Sequence, residues 1–421
     1  MKAIYFLLFA LLFTSACQTE KTEEVSTIIN DKARTRLDST LKSFVDAGYV
    51  VGVSALIFEK NKEVYYNAFG FADREANRPM DRNTLVRIYS MTKPVTGTAL
   101  MKLYEQGAFL LDDPLSKYAP EFTDMKVYAG VDAAGKTITE PAKRPITIRD
   151  ITRHTSGFLS SHDSPLGELI RKTDAMNKEN TLEQMAMKLA SLPLAFQPGE
   201  QWGYGPSVDL QAYLVERISG KPYAQFVQEN VLTPLAMNNT RYTVLESDTS
   251  RLAAMYFKSE DGQLNRNTNQ DALSFNLSKW PLTPGGFGLT STLDDYMRFT
   301  QMLVNEGTLD KVTILKRETV KLMATNQLSD SVTQRMWLPS KGQVGFGIDF
   351  AVRLRAPLSK EEMNGTIGEF FWDGAASTLF WVDPQNELTA VLFVQIMPFA
   401  GQVHKKFKDA VYGVYDPNVV E

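Results

Sequence analysis

Two sets of β-prone apolar runs, one near each end of the chain, limit what it can fold into more than any other feature. Residues 49–58 (YVVGVSALIF) form a continuous run rich in β-branched residues, and residues 63–71 follow across a short polar turn, which predicts an antiparallel pair. Toward the other end, residues 345–350, 370–372, 377–382 and 387–395 predict four short strands separated by Gly, Asp-Pro and Asn turns. Between these ends the period changes. Residues 182–192, 209–218, 223–231 and 293–305 place apolar side chains three to four apart, each stretch bounded by Gly or Pro, and predict helices. The expectation is an α+β protein in which one antiparallel sheet, flanked by helices, is built from both chain ends and a mostly helical lobe is inserted. Residues 31–421 would form a single unit, with 31–88 and 300–421 in the sheet lobe and 89–299 in the helical lobe. A site belongs in the cleft between lobes.

Composition removes several function classes. With 43% hydrophobic residues in 421 the chain can bury a large core, and a net charge of -4 with a pI near 5.7 leaves no basic footprint for nucleic acid. Three histidines and one cysteine exclude a Cys/His metal cluster or a disulfide framework by count, and nothing in the sequence implies a metal or organic cofactor. The lone cysteine, Cys17, follows Lys2, an apolar run over 3–13 and the small residues Ser15 and Ala16. That run is short for a membrane span and resembles a bacterial lipoprotein signal, with Thr14 where leucine is most usual. The resemblance implies export, cleavage before Cys17, and membrane attachment through a lipid on that cysteine. Residues 18–30 then read as a polar tether.

Chemistry is concentrated at Ser90 and Lys93, in the stretch RIYSMTKPVTG over 87–97. Side chains three apart on a helix share a face, so the Lys93 amine can reach the hydroxyl it would have to deprotonate. Chance alone supplies about two Ser-x-x-Lys matches in a chain this long. The second, Ser39 with Lys42, lies in the polar, helix-periodic segment 31–47 and reads as a solvated helix face. Ser90 has a different setting. Pro94 lacks an N–H, which places the helix start at about Ser90; Val95, Ala99 and Leu103 then recur at a spacing of four, and Gly107 supplies a stop. The serine would sit where unpaired N–H groups favour developing negative charge. A lysine acts as a base only when neutral, and a partner that shares the proton eases that demand. The Gly/Pro-rich loop 197–209 (QPGEQWGYGPSVD) offers Tyr204.

Taken together, Ser90-x-x-Lys93, Tyr204 in a Pro-Gly-x-x-Trp-x-Tyr loop, and Trp372-Asp373-Gly374 resemble the serine β-lactamase-like superfamily in order and spacing. The stretches 146–157 (ITIRDITRHTSG) and 285–292 (GGFGLTST) support it, over roughly residues 35–400, and the chain looks closest to the class C β-lactamase-like esterases. The resemblance implies a β-lactamase/transpeptidase-like fold and an acyl-enzyme mechanism. Ser90 would attack, Lys93 and Tyr204 would manage the proton, and the backbone N–H groups of Ser90 and Ala375 would form an oxyanion hole. Gly374 would let a strand edge approach the substrate, and Trp372 is read equally well as a core aromatic. A Ser/His/Asp triad is disfavoured. No Gly-x-Ser-x-Gly elbow occurs, and His154 before a Thr-Ser-Gly turn reads as a structural histidine.

The chain departs from the β-lactamase pattern at two points. Pro206 stands where the tyrosine motif ends in asparagine, leaving Ser207 as a partial substitute, and Trp372-Asp373 stands where the third motif begins with lysine. Loss of that cation removes a charge-assisted hydrogen bond worth about 1.5–3 kcal/mol to a substrate carboxylate, and Asp373 would repel anions if it faces the site. Small neutral esters are therefore the expected substrates of a serine hydrolase acting through Ser90. The alternatives are a β-lactamase or D-alanyl-D-alanine carboxypeptidase, favoured if Asp373 points away and another cation lines the cleft, and a non-catalytic penicillin- or cell-wall-binding protein.

Overall fold

The computed structural model describes residues 28–160, 164–270 and 274–416. The expected leader, Cys17 and nearly all of the tether lie outside the described residues, as does His162. None of the described helices is long and apolar enough to cross a membrane. The folded body starts slightly earlier than the polar composition suggests. Ile29 is buried, and the Ile28 and Ile29 N–H groups donate to the Glu59 carboxylate at 2.9 and 3.2 Å. Helix α1 (Asp31–Asp46) follows, capped by the Asn30 side chain on Ala33 N. It buries Leu37, Leu41 and Phe44, while Lys42 pairs with Asp46 on the solvent face, as the reading of that segment expects.

An eight-stranded antiparallel sheet forms from both ends of the chain. Its strands are β1 (Gly52–Glu59), β2 (Lys62–Asp73), β3 (Arg78–Pro79), β4 (Val344–Phe346), β5 (Ala351–Arg353), β6 (Phe370–Asp373), β7 (Leu379–Asp383) and β8 (Leu388–Val394), in the order β4-β5-β6-β7-β8-β1-β2-β3. The ends meet at the β1/β8 ladder, which runs from Val53 opposite Val394 to Glu59 opposite Leu388. Lys60 and Asn61 both adopt positive φ, 51° and 59°, the backbone a two-residue hairpin turn requires between β1 and β2. The expected strand at 345–350 is instead two strands. Asp349, at φ 59°, turns the chain inward and splits the run into β4 and β5.

Both faces of the sheet are covered. On β7, Phe380 meets Tyr296 of helix α7 (Leu293–Val304), whereas its neighbour Trp381 meets Phe407 of helix α8 (Gly401–Tyr412). Successive strand residues point to opposite faces, so the two helices lie on opposite sides. Helix α7 therefore packs on the sheet through β1, β7 and β8. The other lobe holds α2 (Thr92–Glu105), α3 (Ile148–Thr152), α4 (Leu182–Ala190), α5 (Ser207–Ser219) and α6 (Tyr223–Val227). Here α6 is shorter than its periodicity suggests, because the chain continues as a wider π turn over Gln228–Leu232. A hairpin of Lys126–Val131 with Thr137–Pro141 also belongs to this region, so the lobe is not purely helical.

Candidate active site

Ser90 sits in a tight 3-10 turn, Tyr89–Met91, between the short strand Val86–Arg87 and α2. The strand pairs with Thr290–Ser291, and Tyr89 adopts φ 45°, a costly conformation for a bulky residue. The helix starts at Thr92, two residues beyond the serine. Pro94 falls in its first turn, where a missing N–H costs nothing, and Gly107 at φ 73° closes the far end. Thr92 through Met101 are all buried, so α2 is a central helix and not a helix with a single apolar stripe. Lys93 is 5% exposed; its Nζ lies 3.2 Å from Ser90 Oγ and donates to the Gly286 carbonyl at 2.7 Å.

Two glycine-bearing stretches clamp this pair. A Cβ on Gly286 would stand 3.2 Å from Lys93 Nζ and 3.0 Å from Asp209 Oδ2, so the loop packs tightly against both groups with no side chain between. A Cβ on Gly374 would stand 2.5 Å from the Ile88 carbonyl. Gly374 thus admits the backbone that leads into Ser90, between Asp373 and Ala375, which both line the cavity described below.

Tyr204 joins the pair from the loop before α5. Lys93 Nζ lies 4.6 Å from the centroid of its ring, and that ring packs on His154 at 4.8 Å and Trp337 at 5.1 Å. His154 is fully buried at φ 60°, its carbonyl accepts from Gly203 N at 2.9 Å, and neither ring nitrogen has a partner among the described residues. Burial, then the Lys93 charge, holds its imidazole well below the usual range and therefore neutral. It is the wall behind Tyr204.

A cavity of about 360 Å³ opens over Ser90, and Tyr204, Trp337, Lys341, Asp373, Ala375 and Phe399 line it. Ser90, Lys93, Tyr204 and Ala375 are thus brought together. Three other candidates stand differently. Trp372 is 1% exposed and lies behind the wall, against Phe346, Tyr204 and Trp337. Ser207 is buried, and its hydroxyl shares a 2.8 Å hydrogen bond with Ser156 Oγ. Asp373 does reach the cavity but not as a bare charge, since it forms an ion pair with Lys341. Sequence reasoning missed that cation. Its ammonium lies over the rings of Trp337, Trp372 and Phe399 at 5.2, 5.3 and 4.8 Å.

Two buried carboxyl groups beside Lys93 were missed as well. Asp209, in the first turn of α5, accepts from Gly286 N at 2.9 Å; burial pushes its carboxyl up while the Lys93 charge pulls it down. Asp349 accepts from Gln211 Nε2 at 3.0 Å and packs against α2 in the space left by Gly97, where a Cβ would collide with Asp349 Oδ2. Burial raises its carboxyl well above the usual range, opposed by the Gln211 bond and the Lys93 charge. Asp209 had a local signal, an acid in the first turn after a Gly/Pro loop. Asp349 had none.

His404, on α8, stands 3.9 Å from Asp373 Oδ2 by its Nδ1 and donates through Nε2 to the Ser377 carbonyl at 2.8 Å. Burial lowers it to about 4, against Asp373 and the Ser377 bond, which raise it. The unfolded chain therefore takes up this proton first as pH falls from about 6.5, and the stability the neutral ring contributes is lost as pH falls through about 4. Denaturant midpoints of wild type and His404→Gln are expected to converge over that window; curves that stay parallel would contradict it.

A sheet closed from both chain ends beside a helix-rich lobe, with a Ser-x-x-Lys helix between them, is the β-lactamase/transpeptidase-like fold. Residues 37–412 match the Beta-lactamase family, and the chain belongs to it. Protein Rv1367c of Mycobacterium tuberculosis (strain ATCC 25618 / H37Rv) is 35% identical over 370 residues, 86% of this chain and 89% of that protein. Esterase EstB of Burkholderia gladioli is 31% identical over 232 residues, 54% of this chain and 55% of its own length. Among solved structures, EstCE1, described as a hydrolase with promiscuous acyltransferase activity, aligns with a TM-score of 0.74 at 25% identity, over 91% of this chain and 99% of that one.

Proposed function

We propose that the protein is a serine esterase that forms an acyl-enzyme on Ser90 from small neutral esters. The observation that carries this is the 3.2 Å approach of Lys93 Nζ to Ser90 Oγ beside a cavity that Tyr204 and Ala375 also line. Ser90 Oγ bonds to the ester carbonyl carbon as Lys93 and Tyr204 take its proton. The backbone N–H groups of Ser90 and Ala375 hold the oxyanion, and the alcohol leaves with that proton. Water then adds its hydroxyl to the acyl carbon, the bond to Ser90 Oγ breaks as the acid departs, and the other proton of that water restores the Ser90 hydroxyl.

The three aromatic rings that line the cavity, Tyr204, Trp337 and Phe399, and the paired state of Asp373 and Lys341 support an uncharged substrate. A second reading, an anionic β-lactam or D-alanyl peptide, draws support from Lys341, the second cation on which that alternative depends; its commitment to Asp373 keeps the neutral ester first. The leader-like residues 1–17 support export and membrane attachment through a lipid on Cys17. Brief incubation with p-nitrophenyl butyrate at low pH, then peptide mass analysis, is expected to find a butyryl group on Ser90. No adduct there, by this route or with a fluorophosphonate, would leave the non-catalytic binding reading.

A further inference from the structure

Ser340, Lys341, Asp373 and Phe399 line the Ser90 cavity and also line a second cavity of about 210 Å³. The ion pair and one exposed aromatic ring thus belong to the linings of both spaces. The second has a different chemistry. Phe371 and Leu379 supply an apolar floor, while Glu361, Gln402, His404 and Lys405 supply polar groups.

Those polar groups select a ligand. Both lysines are already committed to carboxylates, Lys341 to Asp373 and Lys405 to Asp409 at 2.6 Å, so an incoming anion meets no uncommitted lysine or arginine among the described lining residues. His404 spends Nε2–H on the Ser377 carbonyl, which can only accept, and this leaves Nδ1 as an acceptor. The exposed Glu361 carboxylate is a second acceptor, and the Gln402 amide both donates and accepts. A purely apolar group would strip water from these without replacing it. Hydroxyl groups, which donate and accept in turn, satisfy them, and the Phe399 face suits the C–H side of a sugar or glycerol unit.

We propose that the second cavity binds the alcohol portion of the substrate and that this portion is an uncharged polyol, the acyl portion lying in the Ser90 cavity against Trp337. The proposal rests on the Ser90 acyl-enzyme reading and names its substrate class. As Ser90 Oγ bonds to the acyl carbon, the carbon–oxygen bond to the polyol breaks, and the polyol leaves carrying the Ser90 proton.

The test compares two esters with the same acyl group, methyl butyrate and glucose 6-butyrate. Two or more new hydrogen bonds predict that kcat/KM for the sugar ester exceeds that for the methyl ester by about tenfold. Gln402→Trp, at an exposed position that would fill the cavity, and Glu361→Leu, which removes an acceptor, are each expected to bring that ratio toward one. A wild-type ratio near one, or a ratio that both variants keep, would overturn the proposal. Turnover of neither ester, with no acyl group on Ser90, would instead strike the acyl-enzyme reading beneath it.

Discussion

Ser90→Ala is expected to lower kcat on p-nitrophenyl butyrate by roughly 10⁴-fold or more, the loss seen when the nucleophile of an acyl-transfer site is removed. Lys93→Met should lose nearly as much. In the structure the amine has one short bond to the Gly286 carbonyl and one approach to Ser90 Oγ, so removing it takes away the amine that shares the Ser90 proton with Tyr204. The double variant should be little worse than either single one, because groups acting as a unit are not additive. Full additivity would mean that the two do not work together. A Ser90→Ala rate within tenfold of wild type would place the activity elsewhere, and the buried His154, without a hydrogen-bond partner among the described residues, gives no ready substitute.

What the sequence revealed of this site, and what it hid, follows from range. Ser90 and Lys93 are three residues apart on one turn, so their meeting is decided locally. Tyr204 is marked by its Gly/Pro loop. The sheet was legible because apolar runs at both ends had no other way to cover themselves, and the β1/β8 ladder realises that pairing. Trp372 was harder. Its burial is set by Trp337, which stacks on it at 6.0 Å and takes the cavity face, and nothing local to 370–373 announces a loop from another part of the chain.

Lys341 shows the same limit more sharply. The turn Pro339-Ser340-Lys341-Gly342 reads as loop punctuation, but its partner Asp373 lies 32 residues away, and only the packing of that loop over β6 brings them together. Asp349 was misread for a related reason. The run 345–350 has strand composition, yet a left-handed residue aimed at the space left by Gly97 outweighs it. In each case a charged group is placed by a contact between distant segments, and residue type alone gives its sign without its partner.

That pairing makes the selectivity of the site depend on one carboxylate. Asp373→Asn leaves Lys341 in the cavity among three aromatic faces with its counter-charge gone, while an amide of nearly the same shape holds the space. A substrate carboxylate can then take the place of Asp373 and form a charge-assisted hydrogen bond worth about 1.5–3 kcal/mol. The ratio of kcat/KM for p-nitrophenyl hemisuccinate to that for p-nitrophenyl butyrate is expected to rise roughly 10- to 100-fold. Lys341→Met should move the ratio the other way, because it bares the Asp373 charge to the incoming anion. The double variant isolates the cause: with both charges gone the gain should vanish, since no cation remains to hold the succinyl group. A gain that survives Lys341→Met would have to come from some other cation, and no gain in Asp373→Asn would mean that Lys341 cannot reach a bound acyl group. If the gain appears and Lys341 accounts for it, the preference for neutral esters comes from neutralising a cation already present in the cavity, one side chain away from a site that accepts anions.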